Sequence, residues 1–277
     1  MPGSPTYLDV RHKLRTAELH TVCEEANCPN IGECWDRRSA TFMILGDVCT
    51  RACRYCAVTS GKPNALDEDE PRRLAATVEH LGLRYCVITS VDRDDLADGG
   101  ASVFADCITL IRGRLPECKV EVLIPDFQGD CQALETVLAS GPAVLNHNIE
   151  TVRRVFKSVR AKGDYDLSLE LLRRAHESYP DLPTKSGMMV GLGETTDEVL
   201  ATMRDLRDTG VDLLTIGQYL RPTRSHAKME RFYHPSEFRA FAEEGDRMGF
   251  KHVASGPLVR SSYRADQQHD AASRAHT

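Results

Sequence analysis

The stretch ATFMILGDVCTRACRYC, residues 40–56, joins a short apolar segment to a loop that carries three cysteines, Cys49, Cys53 and Cys56. The apolar part has the length and the β-branched and aromatic content of a buried strand. The loop spaces its thiols with three and then two intervening residues, and no further cysteine follows before Cys86. A structural zinc site takes four ligands, commonly in two pairs, so this loop leaves one ligand position open.

The chain on either side of this stretch predicts the fold. Six further apolar segments recur with helical patterns between them: RYCVITS, KVEVLIP, AVLNHNI, TKSGMMVGLG, DLLTIGQYL and KHVASGPL. Strands that alternate with helices indicate parallel βαβ units. We therefore predict an α/β fold, a partial parallel (β/α) barrel. Chemistry in such barrels collects on the loops after the carboxyl ends of the strands, where the cysteine loop is expected to lie.

Two of the intervening segments have clear helix ends. Residues 70–82, EPRRLAATVEHLG, finish with a glycine, and residues 195–210, TTDEVLATMRDLRDTG, begin with threonine and acidic residues. Both features are typical of helix caps.

Composition narrows the class of protein. A chain of 277 residues with ten cysteines is too poor in cysteine to be a disulfide scaffold, and its start, MPGSPTYLDVRHKLR, lacks the apolar core of a signal peptide. No run of apolar residues is long enough to span a membrane. Lys and Arg total 35 against 41 Asp and Glu, a net charge of −6, which argues against a general nucleic-acid surface. We expect a cytoplasmic protein without membrane or nucleic-acid partners.

The expected organisation has three parts. Residues 1–41 form an N-terminal extension that contains further cysteines, residues 42–256 form the barrel, and residues 257–277 form a C-terminal extension. This last part contains RSSY, residues 260–263, and its final dozen residues lack an apolar pattern. We expect that tail to be disordered.

The cysteine loop suits an iron–sulfur cluster. Three thiolates can bind three irons of a cubane and leave the fourth iron open. Buried structural cysteines, or a zinc site completed by a distant histidine, are the alternatives. A second triplet, Cys23, Cys28 and Cys34, has four and five intervening residues, a spacing that alone is compatible with zinc, an iron–sulfur cluster or a structural role.

The motifs together resemble a known family. CTRACRYC resembles the CxxxCxxC loop of the radical S-adenosylmethionine (radical SAM) superfamily. In combination with CEEANCPNIGEC and RSSY it resembles the lipoyl synthase family, and the similarity continues through TSVDRDDLADGGA, NHNIETV, KSGMMVGLGET and GQYLRPT. At Arg221, in GQYLRPT, that family suggests a glutamine instead.

The resemblance implies two 4Fe-4S clusters. Cys49, Cys53 and Cys56 would bind the first, whose open iron takes the amine and carboxylate of S-adenosylmethionine, with Tyr55 close to the adenine. The second would be held by the early triplet and one serine of RSSY. These auxiliary ligands are Cys23, Cys28, Cys34 and either Ser261 or Ser262.

It also implies a reaction and its partners. The family inserts two sulfur atoms at carbons 6 and 8 of an octanoyl chain attached to a carrier-protein lysine. Those carbon–hydrogen bonds carry no acidic proton, so a radical must abstract hydrogen, and the auxiliary cluster supplies the sulfur. We expect small acidic, octanoylated lipoyl-carrier domains as substrate and a ferredoxin or flavodoxin as electron donor.

The walls of the S-adenosylmethionine pocket are predicted from polar residues near strand ends. Glu150 could accept from the ribose hydroxyls, and Arg160 could pair with the methionine carboxylate. The other expected wall residues are Thr89, Ser90, Asn148, Lys185 and Gln218. The alternative for each is an ordinary polar residue at the barrel rim. VGLGET lacks the GxGxxG form and is interpreted as a tight turn beside adenine.

Some residues receive structural interpretations. His147 is expected to be a hydrogen-bonded wall residue. Four cysteines without metal spacing are expected to be buried filler: Cys86, Cys107, Cys118 and Cys131.

Two other functions compete with this interpretation. A different sulfur-inserting radical enzyme, such as one acting on dethiobiotin, would share the Cys49 loop but lack the early triplet and RSSY. A zinc-binding interaction module would be colourless and contain no acid-labile sulfide.

Overall fold

A computed structural model describes residues 3–37 and 39–274 of the chain. The chain forms two compact units. The N-terminal unit comprises the chain up to Arg51 together with Ala57–Ala143, and the C-terminal unit comprises Ala52–Cys56 and the chain from Val144 onward.

The described residues of the N-terminal unit contain six strands and six α-helices. The strands are β1 (His20–Thr21), β2 (Thr41–Ile44), β3 (Val48–Cys49), β4 (Thr59–Ser60), β5 (Tyr85–Ser90) and β6 (Lys119–Leu123). The helices are α1 (Pro5–Thr16), α2 (Val22–Glu25), α3 (Ile31–Asp36), α4 (Glu70–Leu81), α5 (Ala101–Arg114) and α6 (Cys131–Ala139).

The main sheet of this unit is largely parallel. Strand β5 pairs in parallel with β2 on one side and β6 on the other, with Ser90 opposite Ile44 and Thr89 opposite Leu123. Strand β1 adds an antiparallel edge to β2, and β3 pairs in parallel with β4 in a separate small sheet. The loops that follow β2, β5 and β6 therefore leave the sheet at the same edge.

The C-terminal unit repeats the alternation of strand and helix. Its strands are β7 (Val144–Asn146), β8 (Thr184–Val190), β9 (Leu213–Gln218) and β10 (His252–Gly256). Its helices are α7 (Arg153–Val159), α8 (Tyr165–Ser178), α9 (Thr196–Asp208), α10 (Pro235–Met248) and α11 (Ala265–Arg274). Neighbouring strands all pair in parallel, in the order of the sequence.

Burial explains why these segments form strands and helices. Every residue of β2 and of β9 is buried, as expected for parallel strands covered on both faces. Helix α9 instead buries one stripe, which includes Val199, Met203 and Leu206. The predicted α/β fold with a mostly parallel sheet is confirmed, and all seven predicted strands are present.

The predicted helix caps are also present. Helix α4 is followed by Gly82, whose φ of +62° is the left-handed conformation that glycine adopts without a Cβ penalty. At the start of α9, the Thr195 hydroxyl accepts from the Glu198 amide and the Glu198 carboxylate accepts from the Thr195 amide. This capping box satisfies two amides that the helix itself leaves unpaired.

The prediction of a disordered tail is wrong for most of its length. Residues up to 274 form α11, in which Ala265, Gln268 and Ala272 are buried. Ala272 packs in a cluster with Val144 and Leu213. Alanine carries little hydropathy signal, so a stripe made of small residues escaped the search for an apolar pattern. The last three residues of that prediction lie outside the described part of the chain.

The N-terminal extension contains α1 to α3 and contributes β1 to the main sheet of its own unit. The expected domain boundaries at residues 41 and 256 stay predictions, and the two compact units divide the chain at other positions. Within the described ranges, no helix combines the length and apolar character needed to cross a membrane.

Candidate active site

The first cysteine of the loop, Cys49, lies at the end of β3 in the N-terminal unit. Its sulfur accepts hydrogen bonds from the backbone amides of Arg51 (3.4 Å) and Asp92 (3.3 Å). A carboxylate oxygen of Asp92 lies 3.6 Å from the same sulfur. Burial raises the pKa of Cys49, and the Asp92 charge raises it further. The two amides favour a thiolate, whereas the carboxylate opposes it.

Arg51 clamps this part of the loop to residues that follow neighbouring strands. Its guanidinium donates two hydrogen bonds of 2.7 Å to the two carboxylate oxygens of Asp126, and further bonds of 2.7 and 3.0 Å to Asp94. Asp92 lies 3.4 Å away. Burial alone would lower the pKa of Arg51, but the bonds to Asp126 and Asp94 raise it above its usual value. The clamp was missed in the sequence, although VDRDD was noted as family-like.

The other two cysteines, Cys53 and Cys56, belong to the C-terminal unit. The amide of Cys56 donates to the carbonyl of Cys53 at 3.0 Å, which closes a tight turn. Between them, the Arg54 amide donates to the Val159 carbonyl at 2.8 Å, at the end of α7. This half of the loop is therefore held by the backbone of its own unit.

A second segment, far along the chain, holds the same turn. The Ala227 amide donates to the Arg54 carbonyl at 2.7 Å, and His226 Nε2 lies 2.9 Å from the Cys56 carbonyl oxygen. His226 was not among the sequence candidates. The only sequence signal for it is its position in the stretch after GQYLRPT.

Tyr55, Glu150 and Arg160 come together in the C-terminal unit. Burial raises the pKa of the Tyr55 phenol, the Glu150 charge raises it further, and the Arg160 charge opposes both. Arg160 is buried and donates to the Asn148 carbonyl at 3.1 Å. The Tyr55 phenol therefore lies within reach of both charges, and the contacts of these three residues with S-adenosylmethionine stay predictions.

Glu150 has a strained backbone. Its φ of +68° is unusual for a residue with a Cβ. The strained residue is held on both sides, because its amide donates to the Gly187 carbonyl at 3.0 Å and its carbonyl accepts from the Met189 amide at 2.8 Å. Strain of this kind persists where the surroundings over-determine it and is frequent at binding sites. Here it fixes the backbone of Glu150 in the segment that follows β7.

Asn148 supplies an acceptor that the protein does not use. Its amide nitrogen donates to the Glu150 carboxylate at 3.2 Å, but its buried Oδ1 accepts no hydrogen bond from the described residues. Gly187 makes this position possible, since a Cβ there would come within 2.7 Å of Oδ1. In the N-terminal unit, the buried Ser90 hydroxyl at the end of β5 is likewise unpaired within residues 3–37 and 39–274. Polar atoms left open in this way suit a polar ligand.

Three other predicted wall residues are buried. Thr89 donates to the Leu123 carbonyl at 3.1 Å, and Lys185 is fully buried on β8. The Gln218 amide nitrogen donates to the carbonyls of Val190 and Arg231, both at 3.1 Å. The side chain of Gln218 is thus occupied by hydrogen bonds to backbone groups, and it fixes the chain around the end of β9.

The VGLGET segment forms the tight turn predicted for it. The buried Glu194 carboxylate accepts from the amides of Gly191 at 2.6 Å and Leu192 at 2.9 Å. Gly191 has a φ of +110°, and a Cβ there would come within 2.3 Å of the Gln218 amide. Glu194 was missed in the sequence, and its role is to close this turn.

The early triplet gathers within the N-terminal unit. Burial raises the pKa of Cys23 to about 11 and that of Cys34 to about 12, and for Cys34 the charges of Cys23 and Cys28 add to the effect. The three thiols therefore lie close enough to interact. The amide of Cys28 donates to the carbonyl of Cys23 at 3.0 Å, so the chain between them turns back on itself.

The serines of RSSY lie in the turn before α11, in the C-terminal unit, and both Ser261 and Ser262 are half-buried. Arg221, where the family suggests glutamine, donates to the His226 carbonyl at 2.8 and 3.0 Å. Its side chain therefore braces the segment that contacts the Cys56 carbonyl.

The structural interpretations are mostly confirmed. His147 is buried, with Nε2 3.1 Å from the Ser168 hydroxyl. Cys86, Cys107 and Cys118 are buried, but Cys131 is exposed at the start of α6, so its interpretation as buried filler was wrong.

Thiol chemistry fits an iron–sulfur cluster at both triplets. Among residues 3–37 and 39–274, no three His, Cys, Asp or Glu side chains are gathered to hold a single metal ion. Thiolates on a cubane are separated by the width of the cluster, so they need not meet at one point. Backbone amides already point at Cys49, as is usual for cluster-bound sulfur.

The fold and the family comparison agree on the class of protein. Residues 43–206 match the family model described as the radical SAM superfamily. Among solved structures, a maturase of FeFe hydrogenase has a TM-score of 0.61 at 18% identity, covering 88% of this chain and 62% of that one. Methylornithine synthase has a TM-score of 0.58 at 14% identity, covering 90% and 74%. The protein is a radical SAM enzyme.

Closer relatives define the family. The lipoyl synthase of Rubrobacter xylanophilus is 57% identical over 274 residues, which cover 99% of this chain and 85% of the relative. The lipoyl synthase of Roseiflexus sp. (strain RS-1) is 58% identical over 264 residues, covering 95% and 88%. The chain belongs to the lipoyl synthase family. Membership of the radical SAM superfamily implies S-adenosylmethionine and a 4Fe-4S cluster as cofactors.

Proposed function

We propose that the protein inserts sulfur at carbons 6 and 8 of an octanoyl chain attached to a lysine of a carrier protein. The observation that carries this proposal is the presence of two cysteine triplets in a chain 57% identical to a lipoyl synthase over 99% of its length. One triplet suffices to hold the cluster for radical chemistry, and the second is available to hold an auxiliary cluster whose sulfide would supply the sulfur.

The catalytic cluster is assigned to Cys49, Cys53 and Cys56. When bound there, the reduced cluster and S-adenosylmethionine supply a radical that abstracts hydrogen atoms from unactivated carbons. The two amides directed at Cys49 stabilise its thiolate, and the turn from Cys53 to Cys56 presents the other two thiols. The Arg51 clamp holds the start of the loop in place.

The S-adenosylmethionine contacts are assigned to the C-terminal cluster and the strand ends. Glu150 would accept hydrogen bonds from the ribose hydroxyls, Arg160 would pair with the methionine carboxylate, and Tyr55 would pack near the adenine. The unpaired oxygens of Asn148 and Ser90 accept from polar groups of the ligand. Thr89 and Lys185 belong to the wall, and Gln218 supports it through the backbone.

The auxiliary cluster is assigned to Cys23, Cys28, Cys34 and one serine, Ser261 or Ser262. The raised pKa values of Cys23 and Cys34, to which the charge of Cys28 contributes, favour a bound cationic cluster, because the cluster relieves the repulsion between the thiolates. A serine oxygen is a harder ligand than thiolate for such a cluster, so this corner is comparatively labile. That lability suits a cluster that is consumed as the sulfur source.

The partners follow from the same proposal. The substrate is an octanoylated lipoyl-carrier domain, and the reductant is a ferredoxin or flavodoxin.

The test is an anaerobic incubation of the reconstituted protein with an octanoyl-lysyl peptide, S-adenosylmethionine and a reductant, followed by mass spectrometry of the peptide. We expect a product that gains two sulfur atoms, with at most about one product per protein. Single alanine variants of Ser261 and Ser262 then identify the serine ligand, because only the variant without that ligand forms 5′-deoxyadenosine but no thiolated peptide.

Two outcomes would reject the proposal. Abundant 5′-deoxyadenosine with an unchanged peptide would show radical chemistry but reject octanoyl-lysine as the substrate. A dethiobiotin-type enzyme is expected to give this result. A colourless protein that binds zinc and contains no acid-labile sulfide would point to the interaction module.

A further inference from the structure

Three large apolar side chains are exposed around one strand end in the C-terminal unit. Leu220 is 39% exposed, Phe232 67% and Leu258 52%. Single exposed apolar residues are common and carry little meaning. These three differ because hydrogen bonds bring the backbone beside each of them to Gln218.

Gln218 is the hub of this arrangement. Its backbone amide donates to the Pro257 carbonyl at 3.3 Å, next to Leu258. Its side chain accepts from the Tyr233 amide at 2.9 Å and donates to the Arg231 carbonyl at 3.1 Å, on the two sides of Phe232. Leu220 follows two residues later in the chain. The three exposed apolar side chains therefore project from backbone segments that are held around Gln218.

The segment that carries two of them is basic. Residues 220–234, LRPTRSHAKMERFYH, contain four Lys and Arg and one Glu, in a chain whose net charge is −6. Arg221 holds the segment in shape through the His226 carbonyl. Arg224 and Lys228 are exposed. A rigid basic surface with an aromatic side chain at its edge has the composition of a protein-binding site.

This segment also borders the proposed chemistry. His226 and Ala227 hydrogen-bond to the Cys56 and Arg54 carbonyls, within the half of the cysteine loop that belongs to this unit. The proposed substrate arm is only a lysine side chain and eight carbons long. A domain that delivers such an arm must therefore contact what surrounds the cysteine loop.

We propose that residues 220–234 and Leu258, here called the basic rim, form the docking surface for an acidic protein domain that presents the acyl-lysine. The proposal rests on the proposed function and adds the place and the charge of the partner's contact. Phe232 and Leu258 supply the apolar anchor, and Arg224 and Lys228 select a negatively charged partner and speed its approach.

The test compares two substrates that carry the same acyl-lysine, an octanoylated carrier domain and a short octanoyl-lysyl peptide. The variants are R224E/K228E and, independently, Phe232→Ala. We expect the half-saturating concentration of the domain to rise about tenfold in each variant, whereas that of the peptide stays unchanged. Added salt should weaken the binding of the domain to the wild-type protein and to Phe232→Ala, but should have little effect on R224E/K228E.

The matched control is R204E/R239E, which makes the same change of charge at exposed positions of α9 and α10. It should bind the domain about as well as the wild-type protein does. An unchanged affinity in both rim variants, or equal losses for domain and peptide, would overturn the proposal. An altered oligomeric state in light scattering, with domain affinity unchanged, would instead make the rim a contact between two copies of the chain.

Direct binding separates this proposal from the proposed function. Fluorescence anisotropy of the labelled octanoylated domain measures docking without turnover. If the wild-type protein binds the domain through the rim but does not thiolate it, docking stands and the proposed reaction fails. If the wild-type protein thiolates the peptide and the rim variants bind the domain normally, the reaction stands and docking fails.

Discussion

Arg51 and Asp126 are joined by two hydrogen bonds of 2.7 Å, although 75 positions separate them in the chain. Both side chains are buried, and the Nε and Nη2 atoms of Arg51 also donate to Asp94. The pair ties the start of the cysteine loop to the residue that follows β6. The planar guanidinium binds one carboxylate bidentately and still has a donor for a second, whereas a lysine ammonium has only three donors and no planar fork.

Arg51→Lys is therefore expected to lower the free energy of unfolding by about 2–4 kcal/mol, because it leaves buried carboxylate oxygens without partners. Urea unfolding of the metal-free protein under reducing conditions measures this. The control is Arg114→Lys, the same substitution in an exposed pair with Glu79, which should cost less than about 1 kcal/mol. Equal losses of unfolding free energy in Arg51→Lys and Arg114→Lys would contradict the conclusion that Arg51 clamps the cysteine loop.

Asp92→Asn should make the cluster bound at Cys49 easier to reduce. It removes a negative charge 3.6 Å from the sulfur but keeps the amide that donates to it. We expect the reduction potential to rise by roughly 50 mV, equivalent to about 1 kcal/mol for one electron. A redox titration followed by EPR measures it, and Asp95→Asn, at a carboxylate paired with Arg93, is the control.

The same variant can be tested without a cluster. Because the Asp92 charge raises the pKa of Cys49, its removal should lower that pKa and speed alkylation of the thiol in the metal-free protein. A slower alkylation, or a lower reduction potential in the reconstituted protein, would show that Asp92 does not act on Cys49 through its charge.

Substitutions in the two cysteine triplets should affect different steps of the reaction. Replacing Cys23, Cys28 and Cys34 by alanine should leave 5′-deoxyadenosine formation in place and stop sulfur insertion, since only the proposed sulfur source is lost. Replacing the three loop cysteines at 49, 53 and 56 should abolish both activities. Chromatography of the nucleoside and mass spectrometry of the peptide report on the two steps. Continued thiolation by the first variant would refute the sacrificial cluster.

Helix α11 should be part of the stable structure. Ala272→Asp places a carboxylate in the buried cluster with Val144 and Leu213, so we expect a loss of about 3 kcal/mol in the free energy of unfolding. Ala271→Asp, one position earlier and only half-buried, makes the same substitution and should cost much less. Comparable urea midpoints for these two variants would mean that α11 is not packed as described.

Glu198 should give the stability a defined pH dependence. Hydrogen bonds from Arg154, then the Thr195 amide, lower its pKa from 4.5 to about 2. A carboxyl with a lowered pKa in the folded state stabilises the protein above its unfolded pKa, and the contribution is lost as pH falls towards the folded pKa. The free energy of unfolding of the wild type should therefore exceed that of Glu198→Gln by about 1 kcal/mol near pH 7, after allowing for solvent screening. This difference should shrink below pH 4.5.

Urea unfolding at a series of pH values checks this. Glu177→Gln, at an exposed partner of Arg173, serves as the control and should show little difference from wild type at any pH. A gap between wild type and Glu198→Gln that stays constant down to the acid limit would assign the effect to the capping box rather than to charge.

Local signals in the sequence were sufficient for much of the fold. The capping box of Thr195 and Glu198 and the glycine after α4 depend on residues three or four apart, so their patterns are visible without a structure. The seven strands were found because buried parallel strands are continuously apolar. Helix α11 escaped because its buried residues are mostly alanine, which gives little hydropathy contrast.

Parts of the candidate site are formed by residues that lie far apart in the chain, so local sequence patterns do not predict their contacts. Tyr55 was proposed from the family resemblance, whereas Glu150 and Arg160 were proposed from the polar groups that such a pocket needs near strand ends. His226 could not be found, because its contact with the Cys56 carbonyl spans 170 positions and a single half-buried loop histidine has no local signature. Gln218 was predicted as a wall residue, but only the fold shows that backbone groups occupy its side chain.

The sequence by itself determined the chemistry that is possible here and the order of strands and helices. Two thiol triplets supply the ligands for soft metals and for iron–sulfur clusters, and hydrophobic periodicity indicates which segments are buried. Only the tertiary structure decided which charges surround Cys49, which carbonyls hold the cysteine loop, and which exposed side chains gather around Gln218. The reason is physical: thiol identity and periodicity are properties of neighbouring residues, whereas these contacts exist only after parallel strands bring distant loops to the same edge of a sheet.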